Sequence, residues 1–150
     1  YHIVEMRWCE LSQLYLPVGN DTKKRFKATK NATQAVNGTA TVTFQTEEWD
    51  IGAAFASNGW TPGRGLVELR AQVTISNAVA GELYRIAIQK DGTDIATARA
   101  HGGLSGALSV SVTATDQPTS SSVYTVIAVT TASRTITDAA SATWFEGRQL

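Results

Sequence analysis

The chain has 150 residues and 16.0 kDa, with 13 basic and 13 acidic side chains and so no formal net charge; that length fits one domain. Hydrophobic residues make up 43% and charged residues only 17%, which excludes a disordered chain and a coiled coil and leaves solubility to Ser and Thr. No apolar run reaches the ~18 residues of a membrane span, and a pI near 6.9 argues against a broad basic face for duplex DNA.

Residues 1–24 read as an arm or anchor. Val4, Trp8, Leu11 and Tyr15 recur at helical intervals, and Pro17, Gly19 and Asn20 end the element. Cys9 is the only cysteine, so no disulfide forms within the chain, and assembly inside a cell fits better than a disulfide-stapled secreted domain. The chain starts at Tyr1 with no signal-peptide pattern and reads as a fragment or a processed product.

Residues 25–150 form the second unit, with the period of strands. Ala40, Val42 and Phe44 alternate with threonines, as do Leu69 to Ile75 with Arg70, Gln72 and Thr74, and Leu108 to Val112 with serines. Alternation with β-branched residues marks strands with one wet face. Val123 to Val129 is nearly continuous in apolar residues and reads as buried on both faces. Asn37-Gly38, Asn58-Gly59, Asp91-Gly92 and Gly102-Gly103 favour tight turns, and Asp91-Gly92 predicts a hairpin between Leu83–Gln89 and Asp94–Ala100. The fold class is all-β, a sandwich of about eight antiparallel strands.

The motif order resembles the C1q/TNF-like jelly roll. Phe26-Lys27-Ala28 sits where that family opens, and Val42-Thr43-Phe44 matches its next strand. Trp60-Thr61-Pro62 and Gly65-Leu66-Val67 resemble the aromatic loop and Gly-aliphatic strand start that follow. Ile86 to Gly92 is similar to the family's hairpin, and Ala142 to Leu150 resembles its closing strand. Ser121-Ser122-Val123-Tyr124 replaces the usual Gly-Asp. The Thr-rich, nearly Cys-free composition looks most like versions at the ends of bacteriophage fibres, spikes and tail proteins. The resemblance implies a homotrimer on a virion surface, assembled in the host cytoplasm. Residues 1–20 would join other particle subunits, and the trimer would adhere to host surface polysaccharide. Two alternatives stand beside it: a structural capsid or tail decoration or capping protein, and a secreted cellular C1q-like recognition domain. The Asn-x-Thr triplets at Asn20, Asn31 and Asn37 bear on the last.

Enzymatic chemistry finds no constellation. His2 and His101 lack metal-ligand spacing, and Gly103-Leu104-Ser105-Gly106 is one residue short of a nucleophile elbow. Glu47, Glu48 and Asp50, or Asp91 and Asp94, offer oxygens without a calcium-loop spacing and read as solvated loop charges. No cofactor, metal, nucleic-acid partner or membrane insertion is expected. The candidate binding residues are Trp49, Trp60, Asn58, Arg64 and His101, with loops 47–62 and 101–106 expected together at one end. Trp49 and Trp60 carry two readings, ring-stacking on a sugar or packing in a core or interface. Lys23, Lys24, Arg25, Lys27 and Lys30 are expected to form one basic patch, attractive to an anion or protective of an edge strand. In the last strand one of Trp144 and Phe145 must face inward and the other outward.

Overall fold

A computed structural model describes residues 23–150. The helical-face residues Val4, Trp8, Leu11 and Tyr15, together with His2, Cys9 and Asn20, lie outside the described residues.

Eleven strands and no helix make up the described chain: β1 (Arg25–Thr29), β2 (Gln34–Thr41), β3 (Thr46–Ile51), β4 (Phe55–Ala56), β5 (Gly59–Trp60), β6 (Val67–Ala78), β7 (Leu83–Lys90), β8 (Thr93–His101), β9 (Gly106–Asp116), β10 (Tyr124–Ile136) and β11 (Trp144–Gln149). The pairing is antiparallel throughout and gives two layers, β3-β1-β11-β6-β9 and β2-β10-β7-β8. A bridge between Ile75 and Ile136 joins the layers, and the short β4-β5 hairpin attaches to β10 at Tyr124. The expected eight strands undercount because β3, β4 and β5 lie in a segment whose alternation is too short to read. The Asp91-Gly92 hairpin forms with both residues at positive φ, 51° and 85°, as a twisted two-residue turn demands. Asn37-Gly38 is not a turn: it lies inside β2, where Gly38 takes φ 83° and the pairing with β10 shifts register between Val36 and Gly38, the extra residues, 131–133, being on β10. The strand expected over residues 40–44 therefore starts earlier and stops at Thr41.

Both ends of the described chain meet at one pole. Gln149 N–H donates to Lys24 O, and Leu150 N–H to Leu66 O, each at 2.9 Å. We call this pole the base. Register then fixes the opposite pole, the tip, because β6 runs from Val67 beside Gln149 to Ala78 beside Gly106. Loops 79–82 and 102–105 are at the tip.

The core packs the inward residues of both layers, and its aromatic centre is Phe26, Phe44, Phe55, Trp60 and Phe145. Phe26 stacks on Phe55 at 4.8 Å and meets Trp60 and Phe145 at 4.9 Å each. Gly147 makes this possible. A Cβ there would stand 2.8 Å from Phe26, 2.9 Å from Trp60 and 3.0 Å from Leu69.

Lys30 closes the β1-β2 turn from inside rather than joining a basic patch, and it is a correction to the sequence reading. It is buried, and its Nζ donates to Gln34 Oε1 at 2.9 Å, Thr43 O at 2.6 Å and Thr43 Oγ1 at 3.0 Å. The ammonium thus ties the β1-β2 turn to the segment after β2, satisfying the Thr43 carbonyl and two side-chain oxygens. Burial pushes its pKa down from 10.5 to about 8, with Asp138 partly opposing. Between those values the unfolded lysine holds a proton that the folded one has released, so this group's contribution to stability rises with pH.

Two outcomes follow. Gly147→Ala should cost about 1–3 kcal/mol in urea unfolding, because rigid rings surround the new methyl. Between pH 7.5 and pH 10 the wild type should gain on the order of 2–3 kcal/mol relative to Lys30→Met; parallel profiles would mean that Lys30 is solvated.

Candidate functional site

The outer face of the five-stranded layer gathers aromatic and charged side chains into contact. Alternation puts it there: Phe26 and Ala28, Phe145 and Gly147, and Leu69 and Ala71 point inward, so their neighbours point out. Register then sets them side by side. Trp49 pairs with Lys27, Lys27 with Glu146, and Glu146 with Arg70. One row toward the base, Arg25 pairs with Arg148 and Arg148 with Glu68.

Lys27 Nζ lies 5.8 Å from the ring centres of both Trp49 and Trp144, and the Arg70 guanidinium carbon lies 5.9 Å over Trp144. Two cations and two indoles thus alternate across four strands, β3, β1, β11 and β6, each cation within reach of a ring's negative face. Arg70 donates through Nε and Nη2 to Glu146 Oε2 at 2.9 and 2.7 Å, and Arg148 approaches Glu68 Oε1 at 2.9 Å. A shallow hollow of about 350 Å³ is lined by Arg25, Trp49, Glu68, Arg70, Glu146 and Arg148. Trp49 is 45% exposed, large for an aromatic residue held on a rigid strand.

This face collects part of what the sequence suggested and rejects the rest. Trp144 and Phe145 divide as alternation requires, Phe145 buried and Trp144 outward. Trp60 follows its core reading and is corrected as a binding residue: it is fully buried at the aromatic centre, its indole N–H without an acceptor, so it cannot reach a ligand. Asn58 is a turn residue at φ 65°, and its Oδ1 accepts the Phe44 N–H at 2.7 Å. Arg64 is exposed at the base, where its carbonyl accepts from Gln149 Nε2 at 3.2 Å. His101 is exposed at the tip, paired with Leu83. Loops 47–62 and 101–106 are therefore not neighbours at one end. The basic run divides too. Arg25 and Lys27 face outward on the sheet, Lys24 covers Gly52, Lys23 is exposed at the base and Lys30 is inside.

The aspartates of the two acidic clusters are occupied with local structure, while Glu47 and Glu48 are exposed. Asp50 accepts the Ala54 and Phe55 N–H groups at 3.1 Å each, and Asp91 accepts the Val123 N–H at 2.9 Å. Asp94 pairs with Arg85 at 2.6 Å and Gln89 at 2.8 Å. Among the described residues no three His, Cys, Asp or Glu side chains converge on a metal position.

No family model and no curated protein matches the chain. Solved structures do match its fold. Murine APRIL is 12% identical with a TM-score of 0.68, over 85% of this chain and 99% of that one. Eiger TNF from S. frugiperda is 8% identical with a TM-score of 0.69, over 85% and 91%. The globular domain of zebrafish complement 1qA is 13% identical with a TM-score of 0.63, over 83% and 94%. At these identities the likeness shows the fold: an all-β jelly roll of the C1q/TNF type.

The two tryptophans at either end of the 50–59 loop should separate cleanly in urea unfolding. Trp60→Ala should cost about 3–5 kcal/mol as a core truncation. Trp49→Ala, measured at a dilution where the chain is monomeric, should cost less than about 1 kcal/mol, as an exposed substitution does; equal costs would contradict their placement.

Proposed function

We propose that this domain works by self-association and recognition without chemistry, as a homotrimer whose subunits meet through the outer face of the five-stranded layer. One observation carries the reading: a rigid, half-exposed Trp49 set among Lys27, Trp144 and Arg70, beside arginine–glutamate pairs that lie open to water. In a monomer those pairs contribute little, since solvent screens them. Covered by another copy, the same groups supply aromatic anchors and a charge pattern that fixes register. The threefold symmetry comes from the C1q/TNF-like resemblance.

The domain so assembled is displayed on a virion, as part of a fibre, spike or tail appendage, and holds a host surface by many weak contacts made at once. The Thr-rich, cysteine-poor composition supports that placement. A second reading, a secreted cellular C1q-like recognition domain, is favoured by the animal origin of the structural neighbours and by Asn31 and Asn37, both exposed within Asn-x-Thr triplets. N-glycans on the natural protein would decide for it.

The test is solution mass by light scattering after size exclusion. Wild type should weigh three chains. Trp49→Ala and Arg70→Glu, which sets a second carboxylate beside Glu146, should shift the mass toward one chain without unfolding the domain. A monomeric wild type, or variants that stay trimeric, would overturn this assembly.

A further inference from the structure

The hollow on the outer face of the five-stranded layer holds more cations than acids. Arg25, Arg70 and Arg148 line it together with Glu68 and Glu146. Each glutamate already serves one arginine: Glu146 Oε2 lies 2.7 Å from Arg70, and Glu68 Oε1 lies 2.9 Å from Arg148. Arg25 is left over. It is exposed, and among the described residues no acid forms an ion pair with it.

Register explains why. Across β1-β11 Arg25 faces Arg148, across β1-β3 it faces Ile51, and its same-face neighbour along β1 is Lys27. None of these is an acid. Two guanidinium groups set directly opposite each other on neighbouring strands repel, and no side chain paired with Arg25 relieves them. Apolar surface flanks the pair on the β3 side, where Trp49 and Ile51 stand open. The excess is most costly when the face is covered. Each copy sets Arg25, Lys27, Arg70 and Arg148 against two glutamates, so copies that meet here bring like charge together. A guanidinium taken out of water without a partner is strongly destabilising.

We propose that the hollow is a site for one free tetrahedral oxyanion per chain, sulfate or phosphate, held between Arg25 and Arg148 where an acid side chain is missing. Guanidinium forks match two oxygens of such an ion. A hollow of about 350 Å³ admits the ion with water, and a covering copy closes it. The site deepens the assembly proposed above and rests on that reading for its closure: the anion neutralises the excess charge that self-association buries.

Light scattering of the full chain over a dilution series tests it, in sodium sulfate and in sodium chloride at equal ionic strength. Sulfate at about ten times its dissociation constant, acting at three sites, should lower the wild-type dissociation midpoint at least about tenfold. Sulfate also favours association in general, by exclusion from protein surface, so two variants are run beside wild type. Arg99→Gln, which changes an exposed arginine of the other layer, should keep the wild-type response. Arg25→Gln should show the general effect alone. Titration calorimetry with sulfate should find one ion per wild-type chain and none for Arg25→Gln. A wild-type trimer with one midpoint in both salts, the result if a carboxylate of the covering copy fills the place, would overturn the site and leave the trimer. So would an Arg25→Gln response equal to wild type. A chain that stays monomeric in both salts yet takes up sulfate through Arg25 would sink the trimer and leave the site, and a monomer with no uptake would sink both.

Discussion

The missing side chain at position 147 governs much of this domain. Phe26, Trp60 and Leu69 come from three separate segments and close over one glycine, each 2.8–3.0 Å from where a methyl would stand. That closure seats β11 between β1 and β6. Once it is seated, alternation leaves no freedom: with Phe145 and Gly147 inside, Trp144, Glu146 and Arg148 must be outside. A slip of one residue would bury two charges and expose the aromatic centre. The outer face is thus a consequence of core packing.

Two kinds of positive charge show how position decides role. Lys30 is enclosed by three acceptors and gives up part of its basicity to burial, so it acts as a buried donor that holds a turn. Lys27, three residues earlier, stays at the surface between two indoles. The distinction is one of parity and turn placement. A run of basic residues on a strand does not make a patch, because neighbours face opposite ways.

Local alternation made much of the fold legible. Strands at 67–78 and 106–116 carry their own period, the strand at 124–136 its apolar run, and Asp91-Gly92 the turn chemistry that places 83–90 and 93–101 as a hairpin. The reading faltered where structure depends on distant partners. Asn37-Gly38 has the composition of a turn, but pairing with β10 keeps it in a strand, opposite a bulge in β10 at residues 131–133. Trp60 has the setting of an exposed loop tryptophan, and only contacts with Phe26 and Gly147 reveal it as core. Trp49 and the basic run were each visible, but their convergence needed the β1-β3 register, which no local pattern encodes. Pole assignment failed for the same reason: loops 47–62 and 101–106 are distinguished by strand direction alone.

The central claim is that the Trp49 face is covered by other copies of the chain while the tip stays open. Hydroxyl-radical footprinting over a dilution series reads both at once. Oxidation of Trp49 should be suppressed at high protein concentration and rise on dilution, while Leu104, 85% exposed at the tip, should be modified equally throughout. Trp49 oxidised to the same extent at every concentration would contradict the account.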